Sequence, residues 1–323
     1  MPSIASSIPP RARGMAMLTG TALVWGGMFA VVKPLMAGFD PFTLTLLRYG
    51  VTAPLLLLLL WAVEGRAALR LEGAGLRLWA LGTLGFAGFG LLAFLGLTLA
   101  EPQHASVIPA LMPLIAVAVT AGRSRSWPAP RALAAVGLGL AGVALVVSGG
   151  APALLLSGGV GRGEGLVFLG AFAWVLYTLG AQRFPGWSGL RFTALSCALG
   201  TLSILGLEAL ALALGWAHWP SAASLAAATP SLLYLTLLAS LLGVLGWNGG
   251  MRAIGAARGV LFINLVPVTA FAIAVAGGQV PAAGEIAGVA LVIAALLLNS
   301  LGAAPAAPRP AALAGAGKRP CPL

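Results

Sequence analysis

Four charged residues stand inside or at the edges of long apolar runs: Lys33, Asp40, Arg48 and Glu208. A charge at the centre of an apolar layer costs about 2.5–3.5 kcal/mol, so it faces a cavity or a partner. The stem of Lys33 is long enough to carry its ammonium to a polar boundary, and the same reach makes it a candidate for solute contact. Asp40 precedes Pro41, the arrangement of a helix N-cap followed by proline at the first helical position. Arg48 lies two turns further in, too deep for an anchor. It can neutralise the carboxylate of a bound solute or pair with an acid. Glu208 lies at a similar depth in a later run, which leaves it two roles: an ion pair with Arg48, or the carrier of a coupling proton.

Trp25, Phe29, Trp174, Tyr177 and Trp247 are aromatics in the interior of such runs, suited to an apolar solute cavity or to packing between helices. Trp25 and Phe29 are four apart and share one helical face. Asn248 and Asn264 are amides in the same setting and need hydrogen-bond partners, from a neighbouring helix or from a solute. Other chemistries are missing. Gly317-Lys318 is followed by Arg319, so there is no phosphate-binding loop. His104 and His218 lack metal-ligand spacing, no serine–histidine or paired-carboxylate set is present, and neither a metal nor a cofactor is expected. Cys197 falls in an apolar run and Cys321 near the end, so no disulfide is expected. Cys321-Pro322-Leu323 is one residue short of a prenylation signal.

What must position these residues follows from composition. The chain is 60% apolar and 8% charged, against roughly 25% charged in a soluble domain. Apolar runs fall at about 14–35, 41–63, 78–100, 105–122, 131–149, 165–183, 190–215, 231–250, 257–277 and 284–302. Each is long enough to cross a bilayer as a helix, and none alternates as a barrel strand would. The first is too long for a cleaved signal segment and reads as a retained helix. Fifteen of the eighteen Lys and Arg residues, from Arg11 and Arg13 to Lys318 and Arg319, then fall on one side of the membrane, and only Arg162 lies in a loop on the other. That alternation puts both ends in the cytoplasm. It also explains the +11 charge without nucleic acid, since no basic patch with interleaved aromatics is formed. Trp61, Trp79, Trp127, Trp187, Trp216 and Trp219 mark run ends, where indoles prefer the headgroup level.

The chain repeats itself at an offset near 150 residues. Ala22-Leu-Val-Trp25 matches Ala171-Phe-Ala-Trp174, the segment around Pro113 matches that around Pro267, and Gly137 matches Gly288. Five spans per repeat is odd, so the second repeat enters from the opposite side. Inverted repeats are typical of secondary transporters, with the solute site near the midplane.

Trp25-Gly26-Gly27-Met28-Phe29 with Lys33, then Pro41, Arg48 and the Pro113 and Pro267 segments resemble the EamA branch of the drug/metabolite transporter superfamily over roughly 14–302. The Gly-Glu pair common after the fourth and ninth spans of that family is replaced here by Gly122-Arg-Ser-Arg and Gly277-Gly-Gln-Val. The resemblance implies an all-α polytopic membrane protein of ten helices. Its parts are a cytoplasmic N-terminus (1–13), two five-helix repeats (14–149 and 165–302), an outer linker (150–164) and a disordered cytoplasmic tail (303–323). It implies alternating-access movement, often export, of a small organic metabolite such as an amino acid across a bacterial inner membrane. The expected partners are that solute and the bilayer, with a homodimer left open. A first span without an acid argues against lipophilic cations, although multidrug efflux remains the alternative, ahead of a membrane-embedded transferase.

Overall fold

The computed structural model describes residues 9–100, 108–153 and 161–300, with Phe29, Lys33 and Ser300 described for their backbone alone. The expectations for His104, for the linker beyond Ala153 and for the tail concern residues outside these. Ten helical segments follow in order: α1 (Pro10–Leu35), α2 (Pro41–Glu64), α3 (Gly75–Leu99), α4 (Ile108–Ser124), α5 (Pro130–Val147), α6 (Arg162–Arg183), α7 (Gly189–Ala213), α8 (Ala222–Ile254), α9 (Ala256–Ala276) and α10 (Ala283–Ser300). Eight are long and apolar enough to cross a membrane, and α4 and α10 are shorter apolar helices. No strand occurs among the described residues.

Polar residues at the ends decide where these helices start. Asp40 accepts the Thr43 N–H at 2.9 Å and Ser188 the Arg191 N–H at 2.8 Å, so α2 and α7 are capped by their own sequence. Ser221 does the same for α8 at 3.1 Å. That cap starts α8 at Ala222, earlier than its most apolar stretch at 231–250, because Ala-rich sequence carries the helix on and Pro230 is absorbed within it.

Packing is two-fold related. Helix α1 packs on α8 as α6 packs on α3, while α2 packs on α7 and α5 on α10. Directions follow from contacts at the ends. Thr43 at the start of α2 meets Glu208 near the end of α7, and Glu64 at the end of α2 meets Ser188 at the start of α7. The equivalent helices α2 and α7 thus run antiparallel, so the two halves point in opposite directions. Irregularities are repeated too: α3 and α8 each contain a π-helical stretch, at Thr83–Gly88 and Tyr234–Leu242, and α4 and α9 each begin with or contain a 3₁₀ turn, at Ile108–Leu111 and Val260–Asn264. At Gly82 and Gly200 the backbones of α3 and α7 touch directly, leaving no room for a Cβ. Leu58, Val63, Leu202, Leu210 and Leu297 point outward, the apolar exterior that a lipid solvent accepts.

Candidate functional site

Arg48 is 4% exposed. Its Nε donates to Ser240 Oγ at 2.5 Å, and the guanidinium sits 4.8 Å from the ring centre of Tyr49. No carboxylate reaches it among the described residues. Ser240 belongs to the π-helical stretch of α8. That widened turn also leaves the Ala239 carbonyl to Trp25 Nε1 (2.8 Å) and the Thr236 carbonyl to the Thr52 hydroxyl (3.2 Å). A π-bulge frees backbone acceptors, and here they hold α1 and α2.

Arg48 is the charged member of a cavity of about 50 Å³ lined otherwise by apolar groups, among them Met28, Val32, Phe89, Phe94, Pro109 and Val167. Since one water needs at least about 10–15 Å³, a few waters fit there and an organic solute does not. On α1 the face turned to this cavity carries Met28 and Val32, one turn on from Trp25; Phe29 and Lys33 lie outside the described side chains.

Beside the cavity lies an aromatic cluster. Trp25 is 5.5 Å from Trp174 and 5.3 Å from Trp247, ring centre to ring centre, and Phe89 joins it at 5.3 Å from Trp174. Tyr177 stacks on Phe192 at 5.3 Å. Trp247 Nε1 donates to Thr178 Oγ1 at 3.2 Å, and Asn248 Nδ2 lies 2.8 Å from Tyr177 OH and 2.7 Å from Thr193 Oγ1. Trp174, Tyr177, Trp247 and Asn248 therefore fasten α6, α7 and α8 to one another. In this part of the bundle Trp174 Nε1, Asn248 Oδ1 and both amide atoms of Asn264 are buried without a hydrogen-bond partner among the described residues, the Asn264 amide lying against Gly139. The cavity brings Arg48 together with Phe89 and Val167, which the sequence does not single out. Nothing in an apolar run marks a Phe or Val as lining a space, although Phe89 follows the glycine-flanked, widened turn at Thr83–Gly88.

Glu208 is 3% exposed and does not meet Arg48. Its Oε1 lies 2.8 Å from Thr43 Oγ1, and its Oε2 has no partner among the described residues. Thr43 Oγ1 is also 2.9 Å from Asp40 Oδ2, which accepts the His218 N–H at 3.1 Å. At the opposite end of the α2–α7 pair, Arg191 bonds Glu72 at 2.8 Å and stacks 4.0 Å over Trp187, while Ser188 bonds Glu64 at 2.5 Å. The pair is clasped at both ends.

Two opposed five-helix halves, with a small charged cavity lined by the first half and Val167 of the second, define a multi-pass helical membrane protein of transporter architecture. The family model for the EamA-like transporter family matches residues 12–148 and again 161–301, and the chain belongs to that family. It is similar to the uncharacterized transporter YrdR of Bacillus subtilis, 32% identical over 284 residues, covering 87% of this chain and 88% of that one. An uncharacterized transporter of Archaeoglobus fulgidus is 31% identical over 194 residues, covering 58% of this chain and 64% of its own. A solved crystal structure matches at a TM-score of 0.70 with 22% identity, over 90% of this chain and 98% of that one, which supports the fold.

Proposed function

We propose that the chain is a secondary transporter moving a small organic anion or zwitterion, such as an amino acid or a related metabolite, by alternating access. The observation that carries this is Arg48: a buried cation on the wall of a cavity, held by a neutral serine, with no acid to balance it among the described residues. Burying a charge without a counter-ion is costly, and a site that meets a carboxylate only when loaded has reason to keep one. Rocking one opposed half against the other is the movement such an architecture supports. The π-helical stretches of α3 and α8, at equivalent places, supply the give.

The positive residues gathered in alternate loops support a bacterial inner membrane setting with both ends in the cytoplasm, and in that setting outward transport is the direction we favour. Glu208 is the proposed carrier of a coupling proton. Trp25, Trp174 and Trp247 are proposed to meet the solute only once the cavity has opened towards them, since here they meet one another. Comparing the medium of cells with and without the gene tests the reading: a small carboxylated metabolite should accumulate outside only when the gene is present. Cationic dyes pumped in preference to amino acids, with the pumping lost in E208Q, would replace this reading with multidrug efflux.

A further inference from the structure

Thr43 has one hydroxyl proton and two carboxyl neighbours, Asp40 Oδ2 at 2.9 Å and Glu208 Oε1 at 2.8 Å. It can donate to one of them. If both acids were ionised, the other contact would set two lone-pair oxygens against each other with nothing between them. A second proton resolves the geometry, and the surroundings say which acid holds it. Asp40 lies at the partly exposed head of α2 and accepts backbone N–H groups from Thr43 and His218. Glu208 is buried, and its Oε2 has no donor among the described residues. A carboxylate accepting several N–H bonds is the better place for negative charge, and a buried carboxyl without donors is the better place for a proton.

We infer that Glu208 stands protonated in this conformation and that Thr43 relays its proton to Asp40, linking the buried face of α7 to the head of α2. The step balances. Glu208 Oε1–H passes its proton to Thr43 Oγ1 as Thr43 Oγ1–H passes its own to Asp40 Oδ2. Glu208 is left an anion, Thr43 neutral, and Asp40 a neutral acid that sheds the proton to water. Of the groups on elements packed against α7, Arg48 and Tyr49 lie two turns deeper on α2, and Arg48 is engaged with Ser240. Arg77 on α3 and Arg252 on α8 lie at the opposite end of the bundle. The imidazole of His218 is not part of the path, since its backbone makes the contact. The purpose of such a relay rests on the transport reading; its existence does not.

The test is therefore spectroscopic and needs no solute. Infrared spectra of purified protein in nanodiscs at neutral pH should show the carbonyl stretch of a protonated carboxyl group. That band should be missing in E208Q and shifted to higher frequency in T43V, where the acid loses its acceptor. A spectrum of E208Q identical to the wild type in this region overturns the inference. So does an unshifted band in T43V, which decides the matter should E208Q fail to fold. Either failure leaves the transport reading standing, because that reading is tested by solute movement.

Discussion

Arg48 and Asn264 carry opposite lessons about polar groups in the bundle. Asn264 is 1% exposed with neither amide atom bonded among the described residues, at the 3₁₀ turn of α9 against Gly139 of α5. An orphaned amide costs more than an apolar group of the same shape, so N264L should raise thermal stability by on the order of 1 kcal/mol. Thermal unfolding in detergent measures it, and a fall of that size would show that the amide has a structural partner. Arg48 is different, because its charge lacks a counter-ion among the described residues. Removing an unpaired buried charge while keeping its bulk relieves a cost, so R48M should melt no lower than the wild type. A loss of several kcal/mol would instead mark Arg48 as half of a structural pair. At this scale the sequence was partly legible. A lone Arg inside an apolar run declares itself by its cost, and so does Glu208. That the two stay apart was not readable, since periodicity gives depth along a helix but not the partner across it. Trp25 illustrates the same limit: the described side chains of α1 that reach the cavity are Met28 and Val32, and no residue type announced them.

The α2–α7 pair is one of four helix pairs that join the halves, and its two clasps differ in chemistry. In the turn before α3, the hydrogen bond from Arg191, with the positive charge beside it, holds the Glu72 carboxyl below the usual carboxylate range. Trp187 Nε1 adds a second bond at 3.2 Å. A carboxyl lowered in the folded state contributes stability above its unfolded pKa and loses it as the pH falls through the folded value. The wild type should therefore melt above E72Q at neutral pH, by a small margin because the bridge is exposed. The margin should close as the solution is acidified through the carboxylate range. Fluorescence-monitored melting at stepped pH checks this, and a margin that widened on acidification would contradict it. Of the helices, the caps at Asp40 and Ser188 and the apolar runs were written in the sequence. The π-helical stretches were not, because widening a turn by one residue alters no local pattern of polarity and is set by what packs alongside.

For the whole molecule, oppositely directed halves follow from an odd number of spans per repeat, and the contacts at the two ends of α2 and α7 display the same opposition. Our proposal that both ends are cytoplasmic predicts which loops face out. In a C321S background, where Cys197 is buried, a cysteine at Ala151 should react with an impermeant maleimide on intact cells. One at Ser126 should react only after permeabilisation. The reverse pattern would invert the topology. The inner-membrane orientation is argued from arginines alone, whereas the repeat was legible from Trp25 and Trp174 and from Pro113 and Pro267. What no residue pattern disclosed is how little space the packing leaves, since the cavity at Arg48 is too small for any solute of the proposed class.

The central claim, that Arg48 receives the carboxylate of a transported solute, meets its most direct test in counterflow. Proteoliposomes preloaded with unlabelled amino acids and organic acids are presented with trace labelled members of the same panel, for the wild type and for R48M. We predict transient accumulation of at least one carboxylated solute by the wild type and none by R48M of unchanged thermal stability. Equal accumulation by both proteins, or none by the wild type across the panel, would contradict it.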